Sequence, residues 1–292
     1  MGFGSGGNGQ TGMDGEFNLT HVRPGSYYIS VQMPGYVDPI NTVDHHDLDN
    51  SSDEAQARVQ QKLQMIQVGS DSTSIDLTLE RGGALSGVVR YEDGSPASNV
   101  RVLPMMFRDG KHVTIPFTGS LNATDDRGQF RITGLPPGTY YVDADITLPS
   151  TRLMRNNDPE IARSSRRLFN VFAPGTFSRS KATPFEVGYG SERNDVEITL
   201  NLSGLHTVGG HVAISETNKK RQYVSLREAG VEDGFSRSAQ ADSNGSFTLE
   251  DVPDGTYCLI ITGSRTPVAM VTVHGADVTD LNLAPASQQS AQ

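Results

Sequence analysis

The chain of 292 residues has no tryptophan and a single cysteine, Cys258. One cysteine excludes an intrachain disulfide and a cysteine-based zinc site. Cys258 stands in the apolar run 257–261, so packing in a core is expected rather than use as a nucleophile. Basic residues are in deficit: 24 Lys and Arg against 34 Asp and Glu leave a net charge of −10. Phosphate backbones need a basic surface, so nucleic acid is excluded as a partner class. The densest basic patch, Arg163 with Arg166-Arg167, reads as a solvated loop. No run approaches the roughly 18 apolar residues of a membrane helix. The opening Met1-Gly2-Phe3-Gly4-Ser5-Gly6-Gly7 has neither the basic nor the apolar region of a signal peptide. That leaves a cytosolic, an already processed or a fragmentary chain as the expectation.

What is abundant is punctuation: 31 glycines and 15 prolines. They set off a stretch that occurs three times. It is Gly15-Glu16-Phe17-Asn18-Leu19, ending in Gly25-Ser26-Tyr27. It returns as Gly128-Gln129-Phe130-Arg131-Ile132, ending in Gly138-Thr139-Tyr140. The third copy is Gly245-Ser246-Phe247-Thr248-Leu249, ending in Gly255-Thr256-Tyr257. Phe and Leu/Ile alternate with polar neighbours, the period of a half-buried strand. The first glycine follows Asp14, Arg127 or Asn244 and suits a tight turn that needs positive φ. The second follows Pro24, Pro137 or Asp254 and is read as another turn. The tyrosines are read as core anchors with a hydrogen-bonded hydroxyl.

A closing pair of strands recurs as well. Residues 66–69 lead to Ser74-Ile75-Asp76-Leu77-Thr78-Leu79. Residues 185–188 lead to Asp195-Val196-Glu197-Ile198-Thr199-Leu200, and 271–275 lead to 277–283. These ends predict three units: 1–80, 81–201 and 202–292. The second and third open with front halves of about three strands, at Gly87-Val88-Val89 and Gly210-His211-Val212. The first has no residues for such a front half. It holds instead a predicted helix over 51–59, capped by Ser51 and Glu54. The second carries an insertion over about 148–184, with a helical turn expected at 158–161. Residues 1–12 are read as flexible or extended, and 284–292 as a frayed end. The fold class that follows is all-β: tandem antiparallel sandwiches, the first lacking its front half.

The combined pattern resembles the carboxypeptidase regulatory-like domain, a transthyretin-like β-sandwich. Gly87-Val88-Val89, Asp93-Gly94-Ser95-Pro96-Ala97, Val100-Arg101-Val102 and residues 128–140 carry the resemblance. It implies a non-catalytic scaffold or binding module working outside the cytoplasm or at the cell surface. A fold that hosts many functions does not choose among them.

The acidic stretch with His45, His46, Asp47 and Asp49 offers imidazole and carboxylate ligands for a divalent cation. Its spacing fits no EF-hand, and a solvated loop without metal is the expectation. No cofactor motif and no catalytic set stands out among the seven histidines. Asn18, Asn50, Asn122, Asn201 and Asn244 each open an Asn-x-Ser/Thr triplet, the acceptor for N-glycosylation. Asn18 and Asn244 are expected to serve structure. For glycan binding the candidate exposed aromatics are Tyr36, Tyr91, Tyr189 and Phe177.

Two function classes follow. In the first, the incomplete opening unit exposes strand edges that a neighbouring subunit completes. Such head-to-tail contact builds an extracellular filament or layer by self-association. A stretch upstream of residue 1 is the competing source of the missing half. In the second, the chain is an accessory module that binds polysaccharide or protein.

Overall fold

The computed structural model describes residues 7–108, 111–113, 123–148, 166–213, 222–231, 234–264 and 266–284. It is built of short strands; among the described residues α-helix is confined to the first copy of the repeat, and the second copy has one 3-10 turn at Arg179–Lys181. There β1 (Gly25–Tyr28) pairs antiparallel with β2 (Met65–Val68). Between them lie α1 (His45–Asp49) and α2 (Asp53–Lys62).

The second copy begins with β3 (Gly83–Tyr91), β4 (Arg101–Arg108) and β5 (Lys111–Val113). The repeated stretch supplies β6 (Gln129–Leu135) and β7 (Gly138–Leu148). Then come β8 (Arg166–Phe172), β9 (Phe185–Val187) and β10 (Glu192–Leu200). One sheet runs β10-β3-β6 and the other runs β5-β4-β7-β8, with β9 also on β7.

The third copy repeats this plan. Its strands are β11 (Leu205–Val212), β12 (Tyr223–Glu228), β13 (Ser236–Gln240), β14 (Ser246–Pro253), β15 (Gly255–Ile261), β16 (Ala269–Val273) and β17 (Val278–Leu283). The sheets are β14-β11-β17 and β13-β12-β15-β16. In both copies a glycine-bearing strand, β3 or β11, is the centre of a three-stranded sheet. It lies antiparallel to the strand of the repeated Phe and parallel to the closing strand.

The cores follow from alternation. Leu85, Val89, Phe130, Ile132, Val196, Ile198 and Leu200 are buried in the second copy. Val208, Val212, Phe247, Leu249 and Leu283 are buried in the third. These residues form one continuous apolar cluster. Where the copies meet, Phe177 packs edge-on against Phe235, their ring centres 6.4 Å apart.

Several expectations are corrected. The strand expected at Phe17 and Leu19 is not formed, and neither is the one expected over 74–79. Neither stretch belongs to a ladder among the described residues. The predicted helix starts later: Ser52, not Ser51, caps α2, its hydroxyl accepting from the Ala55 N–H at 3.3 Å. The second glycine of the repeat does not lie in a turn. It opens β1, β7 and β15. Its lost side chain makes room: a Cβ on Gly255 would fall 2.9 Å from the Tyr257 hydroxyl, and one on Gly138 would fall 2.5 Å from Met106. Arg166 and Arg167 belong to β8 rather than to a loop. Cys258 is half-buried, on the face of β15 opposite Tyr257 and Leu259, because a period of two turns it outward. The helical turn expected at 158–161, Arg163 and Asn122 lie outside the described residues.

Candidate functional site

The hairpin of the first copy keeps the register of its counterparts. Gly25 faces Val68 and Tyr27 faces Ile66. Gly138 faces Val187 and Tyr140 faces Phe185, while Gly255 faces Val273 and Tyr257 faces Val271. Each tyrosine hydroxyl donates to the carbonyl four residues upstream. Tyr27 reaches Arg23 at 2.8 Å, Tyr140 reaches Pro136 at 2.7 Å and Tyr257 reaches Pro253 at 2.7 Å. This corner ties the repeated turn to the strand that follows it. Burial pushes the Tyr140 and Tyr257 hydroxyls well above the usual phenol range.

The preceding turn also recurs. Gly15 (φ 84°), Gly128 (φ 74°) and Gly245 (φ 87°) all adopt the left-handed region. The N–H of Gly12 donates to Glu16, that of Asp125 to Gln129 and that of Asp242 to Ser246. Asp14, Asp125 and Asp242 each accept backbone N–H bonds inside the turn.

Beyond the hairpin the first copy departs. Segment 15–20 is the counterpart of β6 and β14. Segment 74–79 is the counterpart of β10, as Ile75, Leu77 and Leu79 match Val196, Ile198 and Leu200. In the complete copies these two strands flank the central strand β3 or β11. Among the described residues of the first copy no strand stands in that central place, and both flanking segments lack ladders. Their apolar residues are correspondingly half-buried: Phe17, Leu19, Ile75, Leu77 and Leu79. A cleft of about 220 Å³ opens beside the second segment, lined by Ile29, Val37, Lys62, Leu77, Glu80 and Tyr189. Lys62 donates to the Thr42 carbonyl at 2.9 Å, and desolvation lowers its pKa.

The His/Asp cluster is organised differently from a loop. Asp44 caps α1 by accepting from His46 N–H at 3.0 Å. His45 Nδ1 sits 3.6 Å from Asp49 one turn on. Asp47 accepts two bonds from Arg58, at 2.6 and 3.0 Å, which clamp α1 to α2. That guanidinium holds the Asp47 carboxyl below the usual carboxylate range. Among the described residues no three ligating side chains converge as a metal site would require.

Of the other candidates, Asn18, Asn201 and Asn244 are exposed. Asn50 is half-buried and its side chain accepts from Ser52 N–H at 2.9 Å. Tyr91 and Tyr189 are exposed, whereas Phe177 is committed to Phe235. One grouping had no signal in the sequence. His206 Nε2 lies 3.2 Å from Asp254, which also reaches His274 at 3.3 Å, and His206 Nδ1 lies 3.8 Å from Asp277. The four come from three separate corners of the third copy, so no spacing rule joins them.

No family model matches the chain. Over 170 residues it is 27% identical to Colossin-A of Dictyostelium discoideum, an alignment covering 54% of this chain. The chain spans about 1% of the length of that protein. Among solved structures it is similar to a minor pilin of Streptococcus agalactiae, with a TM-score of 0.33 and 13% identity. That likeness covers 72% of this chain and 99% of the pilin. A streptococcal ancillary pilin aligns with a TM-score of 0.35 and 12% identity, over 94% of this chain and 79% of its own. The all-β tandem sandwich is read from the chain's own ladders, of which the first copy holds, among the described residues, the hairpin β1–β2.

Proposed function

We propose that this chain is a structural protein of the cell surface or extracellular space, divided into units 1–80, 81–201 and 202–292. Its incomplete first unit joins it head-to-tail to a neighbouring subunit in a filament or layer. The observation that carries this reading is the pair of unladdered segments, 15–20 and 74–79. Their counterparts hold the two edges of a central strand. Backbone outside any ladder, with apolar residues on alternate positions, recruits strands from other chains. A contact between an incomplete first unit and a different surface of the next subunit does not close on itself, so it propagates. The kinship with carboxypeptidase regulatory-like domains belongs to this reading: a scaffold, with its apolar faces spent on packing.

Light scattering and electron microscopy of the purified 292-residue chain test it. Concentration-dependent elongated particles are expected. A monomer at high concentration, with segments 15–20 and 74–79 protected from hydrogen exchange, would sink it. The second reading, an accessory module that binds polysaccharide, rests on the exposed rings of Tyr91 and Tyr189. A glycan array with micromolar binding lost on Tyr189→Ala would favour that reading.

A further inference from the structure

We infer that the first unit accepts one free strand of a partner polypeptide, in the register of β3, and selects it by a glycine facing Phe17. The inference rests on the proposal that another chain completes this unit, and adds what that chain must look like. The two complete copies define the occupant. Gly87 faces Phe130 and Gly210 faces Phe247. On its other edge Gly87 pairs with Val196, and Gly210 with Leu281. The glycine is required by contact with that edge. A Cβ on Gly87 would lie 1.7 Å from the Val196 carbonyl oxygen, and one on Gly210 would lie 2.1 Å from that of Leu281.

Ile75 takes the place of Val196, so the incoming glycine passes the Ile75 carbonyl. An apolar residue two positions earlier faces Leu19, as Leu85 faces Ile132 and Val208 faces Leu249. One two positions later lies beside Leu77, as Val89 lies beside Ile198. The strand runs antiparallel to 15–20 and parallel to 74–79. One strand then ladders two segments, and their half-buried apolar residues gain cover on both sides.

The partner's strand must be unpaired before docking. Among the described residues the strands that carry the pattern are β3 and β11, both central and laddered on two edges. Leu85, Val89 and Val208 there are fully buried, so withdrawing either strand dismantles a core. The glycine-rich residues 1–12 and the polar residues 284–292 lack alternating apolar positions. On the proposal that another chain completes this unit, the donor is an extended segment of that partner, about eight or nine residues long, the length of β3 and β11.

The test uses the full chain and a labelled synthetic peptide with the β3 sequence, Gly-Ala-Leu-Ser-Gly-Val-Val-Arg-Tyr. Fluorescence anisotropy should show saturable binding, and hydrogen exchange should show new protection at 16–20 and 74–79. A peptide carrying Gly87→Val should bind about tenfold or more weakly. Phe17→Asp and Leu77→Asp in the protein should weaken the unmodified peptide to a similar degree. Both positions are half-buried and outside any ladder, so the fold is retained. Equal binding of the glycine and valine peptides overturns the inference, and so does protection confined to β1 and β2. Elongated particles that form regardless of saturating peptide uphold the filament reading and overturn this one. A monomer that binds the peptide with glycine dependence does the reverse.

Discussion

Phe17 and Phe130 hold the same place in the repeat, two residues after a left-handed glycine and ten before a corner tyrosine. Phe130 is buried in β6; Phe17 stands half in solvent on a segment that belongs to no sheet. The hairpins that follow them share one register to the residue. The corner and hairpin are therefore set locally, by turn residues and one tyrosine. The strand before the corner depends on a partner strand far away in sequence. A period of two announces which face is apolar, but hydrogen bonds and cover come from the neighbour.

The sharpest way to break this comparison is to truncate both rings. Phe130→Ala should cost about 3–5 kcal/mol, the range for a buried aromatic. Phe17→Ala should cost about 1 kcal/mol or less, as at a partly exposed site. Urea unfolding followed by tyrosine fluorescence measures both. Equal losses would mean that the first unit already has a closed core.

The turn glycines give the next largest contrast. Ala at Gly128 must adopt φ near 74° and places its Cβ 2.3 Å from the Val89 carbonyl oxygen. Strain and crowding together predict about 2–4 kcal/mol. Gly15 has the same hand, φ 84°, with nothing within 4 Å of a Cβ. Gly15→Ala should cost only the backbone term, about 1–2 kcal/mol. The difference in midpoint between the two variants reports the close approach of β3, which has no counterpart at Gly15 among the described residues.

Removing the corner hydroxyls sharpens the shared half. Tyr140→Phe and Tyr257→Phe strip a 2.7 Å bond from a buried corner and should each cost about 1–2 kcal/mol. Tyr27→Phe breaks the same bond at a half-buried ring, where water replaces the donor, and should cost less. Thermal denaturation of the three variants checks the order. A Tyr27 variant as damaging as the other two would place its corner in an equally dry environment.

Part of this was legible beforehand. The thrice-used Phe, Gly and Tyr marked the all-β repeat. What the sequence could not express was consequence. Residues 74–79 read as a strand as clearly as 195–200, since Ile-Asp-Leu-Thr-Leu and Val-Glu-Ile-Thr-Leu share one pattern. What separates them is pairing: 195–200 lies in β10 on β3, whereas 74–79 has no partner strand among the described residues. Cys258 was hidden by the opposite confusion. An apolar run with a period of two has an outward face, and Cys258 lies on it. Phe177 looked like a surface ring because its partner Phe235 lies in another copy. The acidic stretch looked like a loop because its helix is only five residues long and is fixed by Asp44 and by Arg58, eleven residues beyond Asp47.

That clamp gives the smallest expected effect, and it separates the helical insert from the sandwiches. The folded state holds the Asp47 carboxyl below its ordinary value, chiefly through its bonds to Arg58. A depressed carboxylate contributes stability above its unfolded pKa of about 4, and the contribution disappears as pH falls through the lower folded value. Acidification should therefore loosen α1 from α2 while the ladders of β3 and β11, which do not depend on that carboxylate, persist. The protection factor of the Leu48 amide, its exchange rate normalised to that of the unfolded chain at each pH, should fall between pH 6 and pH 2 in the acid limb of the titration. Asp47→Asn should leave that protection low and nearly independent of pH. If instead the amides of 74–79 titrate together with α1, the insert and the unladdered segment form one cooperative unit. The first copy would then owe its order to the helices rather than to the hairpin.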